Sequence, residues 1–280
     1  LKKMNDYDLI FVHGSNSAML LCALKRILHI KTPPILDVDI SSFHQAYTSG
    51  LIHRLSQFSS KAFDYMVYHT SSQYDYYKEH FPWLKDRCKF VPFGVDYNYW
   101  KLKTYKDIPE KDQYIVCVGY RKRDWSTLLK AFDRIDIPEK LYLIGNPDIK
   151  CDNPKVKVLP FIPIEKLMTY IINSKFSVVP LDDFNYSFGQ MTLLQQMALG
   201  VPILAADVPA IHDYIKCSVG VMPYTAYDIN ELALRLKEMA SKTKEDLRVM
   251  GDKNKLAIQT ILSEKEMAVQ FEEIIKQVLN

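Results

Sequence analysis

The chain has 280 residues, of which 48% are hydrophobic and 25% charged, a balance that argues against a disordered segment. Its formal net charge is only +3, with Lys, Arg, Asp and Glu interspersed, which argues against nucleic acid as the main partner. Cys22, Cys88, Cys117, Cys151 and Cys217 are odd in number, scattered, and form no C-x-x-C pair. That is a poor disulfide framework and a poor zinc site, and it points to a reducing, intracellular compartment. No apolar run approaches a membrane span. The chain opens on Leu1 and a short charged stretch, not a signal peptide, and the missing initial Met predicts a segment upstream.

In chain order, "YDLIFVHGSNSAMLLCALKRIL" predicts a buried strand ending at His13-Gly14-Ser15, then a helix. "PPILDVDISSF" predicts a second strand, and "FDYMVYHTSSQYDYYKEHF" a strand, a Ser-Ser turn and a helix. "KFVPFGVD" is a short strand that turns at Gly94. Alternating strands and helices predict parallel sheets with crossover helices. Residues 97–113 are polar, lack an apolar period, and predict a linker. The pattern then restarts with the strand "YIVCVGY", the helix "DWSTLLKAFDRI" and the strand "KLYLIGNP". "VKVLPFIP", "IEKLMTYIINS" and "FSVVPL" follow as strand, helix and strand, and "VPILAAD" is a further strand. Helices around "INELALRLKEMA" and "EKEMAVQFEEIIKQVL" close the chain, the last with Met267, Phe271, Ile274, Ile275 and Val278 on one face. The aromatic residues of "KAFDYMVYHTSSQYDYYKEHFPWLK" are expected in the core and not on a membrane surface.

Chemistry concentrates at the strand ends of the second half. "NYSFGQMTLLQQMALGVPI" opens a helix with Ser187, Phe188 and Gly189. The free amides from Gln190 through Met191 to Thr192, with the helix dipole, suit an anion. Thr192 shares a face with Gln195 and Gln196, while Met191, Leu194 and Met197 are expected in the core. An ordinary helix capped by Ser187, with its glutamines in solvent, fits the same residues. After "VG", the triplet Arg121-Lys122-Arg123 suits a diphosphate, and Asp124 is expected to cap the next helix. A solvated basic turn is the alternative. Two further strands end at Gly145-Asn146 and near Phe161, so four successive strand ends along one sheet edge carry Gly, basic or small polar residues.

Residues 90–275 resemble the family-4 glycosyltransferases, of the group 1 type, most specifically through "FG…LLQQMALGVPILA". The resemblance implies an α/β GT-B fold, two Rossmann-like domains facing a cleft, with the N-terminal domain shortened. It divides the chain into a partial acceptor-side domain over residues 1–100, joined by a C-terminal helix over 263–280, and a nucleotide-sugar-binding domain over 101–262. It implies transfer of a hexose from a nucleoside-diphosphate sugar to a glycan or lipid-linked acceptor, with retention, in polysaccharide biosynthesis. By the resemblance Arg123 or Arg121 holds the diphosphate and Gly189, Gln190 and Met191 offer amides. Gln195 faces the ribose, Phe161 and Ile162 pass the base, and Gly119 permits close packing of the donor. Asn146, Ser187, Phe188 and Thr192 complete the expected donor site. No cofactor and no metal are expected. A cytoplasmic location follows, and peripheral contact with the inner face of the membrane stays open.

The chain departs from the family where two glutamates eight positions apart are usual: Ser187 and Gln195 stand there. Tyr120 replaces the usual Arg after "VG". The family's cleft histidine is missing from "PILDVDISS"; Asp37 and Asp39 stand there instead. Asp39 could orient an acceptor hydroxyl or act as base, with turn and cap chemistry as the alternative. His13, at the previous strand end, is better placed for chemistry than His29, His53, His69, His80 or His212; His44 lies slightly further on. The catalytic candidates are therefore Asp39, His13 and Arg123. A non-catalytic nucleotide-binding or partner subunit of the same fold is the second reading.

Overall fold

Strands and helices alternate along the whole chain in the computed structural model, which describes residues 4–14, 16–40, 43, 48–99, 113–145 and 148–280. They fall into two units. The first contains β1 (Ile10–His13), α1 (Asn16–Ile27), β2 (Ile35–Asp39), α2 (Gly50–Ser60), β3 (Tyr65–Tyr68), α3 (Gln73–His80) and β4 (Cys88–Phe90). All of its strand pairs are parallel, in the order β1-β2-β3-β4. Every residue of β2 is buried, Asp37 and Asp39 included, as in a parallel strand covered on both sides. One sheet face packs Val12, Ile35 and Met66 with Cys22, Phe63, Tyr77 and Phe81. The aromatic segment after Lys61 is thus core, as its sequence predicts.

The second unit contains β5 (Tyr114–Val118), α4 (Trp125–Asp133), β6 (Lys140–Ile144), β7 (Val156–Leu159), α5 (Ile164–Asn173) and β8 (Ser177–Val179). It continues with α6 (Gln190–Ala198), β9 (Ile203–Asp207), α7 (Pro209–Ile215), β10 (Val221–Thr225), α8 (Ile229–Ser241) and α9 (Lys244–Thr260). The parallel sheet has the order β10-β9-β8-β5-β6-β7. It grows outward from β5 through β6 to β7, then returns to the other side of β5 with β8. The chain therefore leaves β5 and β8 in opposite lateral directions, which opens a crevice beyond their carboxyl ends.

The final helix, α10 (Glu264–Leu279), packs from Lys265 onward with the first unit, where Met267, Phe271 and Ile274 cover Leu36, Val38 and Val67. The units divide between Phe93 and Gly94, earlier than residue 100, and Asn185–Phe188 groups with the first unit although the sequence reading kept it in the second. Asn185 is tied there by its amide to the Ser72 carbonyl, at 3.2 Å. The linker reading falls mostly on residues 100–112, outside the described residues.

Helices α2, α7 and α9 and strand β10 are not anticipated by the sequence pattern; α9 is the longest of them. Its buried residues, Leu247, Gly251, Asn254, Ala257 and Ile258, keep helical spacing, but Gly, Asn and Ala make a faint apolar stripe. The capping box of Thr243 and Asp246 was the available signal. Gly251 is there because a Cβ would lie 2.0 Å from the Gly200 carbonyl oxygen. Beside it, fully buried Asn254 donates to the carbonyls of Val201 (2.8 Å) and Gly220 (3.2 Å) and accepts from Ser218 Oγ (2.7 Å). Asn254→Ala leaves these groups without their partner. It is expected to cost the second unit about 2–4 kcal/mol, read by calorimetric unfolding.

Candidate functional site

The crevice between β5 and β8 is built around one arginine. β5 ends at Val118, and Gly119 takes a left-handed φ of +126° that turns the chain back. The Arg123 side chain then folds across Gly119. Its Nε donates to the Val118 carbonyl, Nη1 to the Arg121 carbonyl and Nη2 to Thr192 Oγ1, each at 3.2 Å. A Cβ on residue 119 would stand 2.7 Å from Nη2, so glycine is needed to seat the guanidinium. The sequence reading gave Gly119 to the donor; its immediate neighbour is Arg123. The turn is pinned to the segment after β8, since Asp124 N donates to the Pro180 carbonyl (2.8 Å) and Asp182 N to the Lys122 carbonyl (3.3 Å). Asp124 caps α4 as expected, accepting from Thr127 N at 3.0 Å.

Helix α6 meets the same arginine. Its N-cap is Gly189, at φ +89°, which has no side chain with which to cap the first turn. Ser187 does not cap it, because the left-handed Gly189 takes the N-cap position; a Cβ there would lie 2.7 Å from Leu181 Cδ1. Buried Gln190 is locked by its Nε2 to the Ala210 carbonyl, at 2.8 Å. Met191, expected in the core, is exposed, because the first turn of α6 stands at the sheet edge; Leu194 and Met197 are buried. The adjacent glutamines separate. Gln196 is fully buried, bonded to Ser177 Oγ and, through Nε2, to the Thr192 carbonyl at 2.8 Å. Gln195 stays half-buried.

Arg123 is only 8% exposed and has no carboxylate partner among the described residues. Burial lowers its pKa from the usual arginine value, while Cys117 and Asp182 act the other way. An arginine nevertheless stays protonated in a protein. A buried cation therefore sits on the positive end of α6, two like-signed sources that an anion would relieve. Exposed Tyr120 and Phe161 meet edge to face at 4.9 Å, and Arg121 lies 5.1 Å above Tyr120. Phe161 lies beside Gly145, where a Cβ would stand 3.5 Å from its ring. Asn146 lies outside the described residues. A cavity of about 500 Å³ lies at the amino ends of β8 and β9, lined by Lys175 and Val201 among others, away from this site.

In the first unit the structure does not bring His13 and Asp39 together. Their register partners, Val38 for His13 and Tyr68 for Asp39, lie on opposite faces of the sheet. Asp39 is fully buried and accepts from Tyr77 Oη at 2.6 Å and Phe43 N at 3.4 Å, so in this state it serves the core. His13 is exposed. His69 is buried near it, bonded to the Val91 carbonyl at 2.7 Å, and burial pulls its pKa down to about 4 against that bond. His44 lies outside the described residues. Ser187 is buried and Phe188 half-buried, both grouped with the first unit.

A family profile described as "Glycosyl transferases group 1" matches residues 112–264, more than half of the chain. The chain belongs to the group 1 glycosyl transferases. The matched stretch carries the Arg123 crevice. Sucrose-phosphate synthase from Thermosynechococcus elongatus is 18% identical, with TM-score 0.76, covering 98% of this chain and 74% of that one. HepE from Anabaena, in complex with UDP, is 12% identical, with TM-score 0.79 and coverages of 99% and 80%. A UDP-forming α,α-trehalose-phosphate synthase from Burkholderia xenovorans is 13% identical, with TM-score 0.76 and coverages of 98% and 74%. These likenesses establish the GT-B fold. No curated protein sequence matches the chain.

One buried carboxyl of this group 1 chain has a measurable consequence. Asp37 is buried, its Oδ2 has no hydrogen-bond partner, and burial followed by the charge of Asp39 raises its pKa well above the usual value. A raised native pKa means the folded state holds this proton more tightly. Its contribution to stability is present below the unfolded pKa, about 4, and is lost as pH rises through the folded value. Asp37→Asn cannot ionise. It is expected to raise the unfolding temperature at pH 8, with the gain shrinking to nothing near about pH 4.

Proposed function

We propose that this chain is a retaining, family-4 hexosyltransferase, moving a sugar from a nucleoside-diphosphate sugar to a glycan or lipid-linked acceptor in polysaccharide assembly. The observation that carries the reading is the buried Arg123, which has no ion pair among the described residues, against the first turn of α6 at the switch point of the second unit. A diphosphate is the anion that suits a guanidinium and a row of amides together. When the bond from the anomeric carbon to the phosphate oxygen breaks, its electron pair stays on that oxygen. Arg123 and the positive end of the α6 dipole stabilise the developing charge. Arg121 adds an exposed cation, Thr192 helps hold Arg123, and half-buried Gln195 can bond a ribose hydroxyl. The Tyr120–Phe161 pair offers ring surface for the base. These groups supply positive charge directly, so the reading includes no metal. Of the acceptor-side candidates His13 is the one that solvent reaches. HepE has been crystallised with UDP and with UDP-glucose, which makes UDP the first nucleotide to try.

A second reading, a nucleotide-binding partner subunit without transfer, is favoured by Ser187 and Gln195, which place no carboxylate where the family has two. Calorimetric titration with UDP, GDP and ADP, repeated on Arg123→Ala, tests the donor site. One nucleotide is expected to bind, about 10- to 100-fold more weakly in the variant. The variant loses three hydrogen bonds but also a desolvated cation, so its stability should fall far less than its turnover, as read by calorimetric unfolding. With the matching sugar nucleotide, turnover should fall about 100- to 1000-fold. Binding of none of the three sinks the donor-site assignment. Binding without transfer to glycan or lipid-linked acceptors selects the partner subunit.

A further inference from the structure

Two strained residues meet on one short segment of the second unit. Among the described residues, three other than glycine take a left-handed φ: His29 (+49°), Lys122 (+53°) and Tyr227 (+63°). That backbone is uncommon for any side chain and an outlier for a bulky one. Tyr227 is held in it by the turn between β10 and α8. Asp228 N donates to the Thr225 carbonyl at 3.2 Å, and Thr225 N donates to Glu231 Oε2 at 2.9 Å. Asp228 then caps α8, accepting from Asn230 N and Glu231 N at 2.9 Å each. The tyrosine is 53% exposed, so core packing does not explain the strain. Its phenol has a specific partner, since Tyr227 Oη accepts from Asp183 N at 2.8 Å.

Lys122 reaches the same segment. Its carbonyl accepts from Asp182 N at 3.3 Å, and its Nζ lies 5.9 Å from the Phe184 ring. Next in the chain, Arg123 pairs with Leu181 in an isolated antiparallel bridge. Asp182 is therefore an acid beside Arg123, and its charge acts on the guanidinium. The two nevertheless form no ion pair among the described residues. A half-buried carboxylate at this position competes with any anion for the same cation.

We propose that Tyr227 is a positioning residue for the donor site: by tying the Asp183 amide it holds Asp182 off Arg123 and keeps the guanidinium available to a nucleoside diphosphate. The inference rests on the donor-site reading above. Without the tie, Asp182 and the ligand compete for one cation. The apparent affinity then falls by the fraction of molecules in which Arg123 is still free. Once the ligand is bound, Arg123 is engaged as before, so the loss falls on binding and not on the chemical step.

Titration of Tyr227→Phe, Asp182→Asn and the double variant with whichever of UDP, GDP and ADP the parent chain binds tests it. Water can replace the phenol at the exposed Asp183 amide, so Tyr227→Phe is expected to unfold at the parent temperature. It should bind the nucleotide about 5- to 10-fold more weakly. With the sugar nucleotide, KM should rise by the same factor while kcat stays within about twofold. Asp182→Asn should bind at least as tightly as the parent, and in that background Tyr227→Phe should change affinity by less than about twofold. Parent-like affinity in Tyr227→Phe overturns the inference. So does a loss that persists undiminished beside Asp182→Asn, since Tyr227 then acts by packing, and so does a fall in kcat with KM unchanged. If Arg123→Ala weakens binding and Tyr227→Phe does not, the donor site stands and this inference alone fails. If the parent chain binds none of the three nucleotides, both fail.

Discussion

The second unit is organised by the seating of one guanidinium. Arg123 is held by the carbonyls of Val118 and Arg121 and by Thr192 Oγ1, so it touches the strand it follows and the helix it faces. Neutral acceptors orient it and leave its charge unneutralised. Removing a cation from water without a counter-ion is costly, and the positive end of α6 adds to that cost. Other choices follow from it. Residue 119 must lack a side chain, Lys122 accepts a left-handed φ of +53°, and Gly189 must start α6 close against Leu181. Three sequence-distant segments are thereby fitted to one charge. Such agreement in one place, against local preference, is what a binding site leaves in a fold.

Topology explains why the charge sits there. In a sheet that grows outward from β5 to β6 and β7 and then returns to β8, the neighbouring turns diverge beyond the strand ends. The turn after β5 and the segment after β8 are tied by backbone hydrogen bonds from Asp124 to Pro180 and from Asp182 to Lys122. The crevice therefore has a floor tied by hydrogen bonds, which holds Arg123 beside the first turn of α6. For the proposed transfer, in which charge appears on a leaving phosphate, such a fixed arrangement lowers the reorganisation required.

Much of this was legible in the chain. Most of the strand and helix order, the cap at Asp124 and the basic turn follow from apolar periods and punctuation, while α2, α7, α9 and β10 do not. What stayed hidden depended on which neighbour a residue meets. Gln195 and Gln196 are equivalent in the sequence, yet one helical step puts Gln196 under β8 and leaves Gln195 half in solvent. Met191 looked like core because helical spacing cannot tell a buried first turn from one that projects past a sheet edge. His13 and Asp39 both end strands, but register sends them to opposite faces. Helix α9 was invisible because it packs through Gly251, Asn254 and Ala257, where close approach and hydrogen bonding replace apolar bulk.

The two units leave positive charge unpaired in opposite ways. In the second unit a single cation is buried, held in one geometry, and backed by aligned amides. That arrangement selects a small, multiply charged anion that can be stripped of water and matched bond for bond. In the first unit the cations are spread over α1, α2 and the turns after them, on long side chains beside exposed leucines, with the only carboxylates between residues 9 and 63 withdrawn into the core. That arrangement has no fixed geometry to match. A net charge of +3 over the chain hides both features, because surface ion pairs such as Arg248 with Glu245 neutralise charge elsewhere. Where the charges go unpaired carries the functional information, and only burial and contact reveal it.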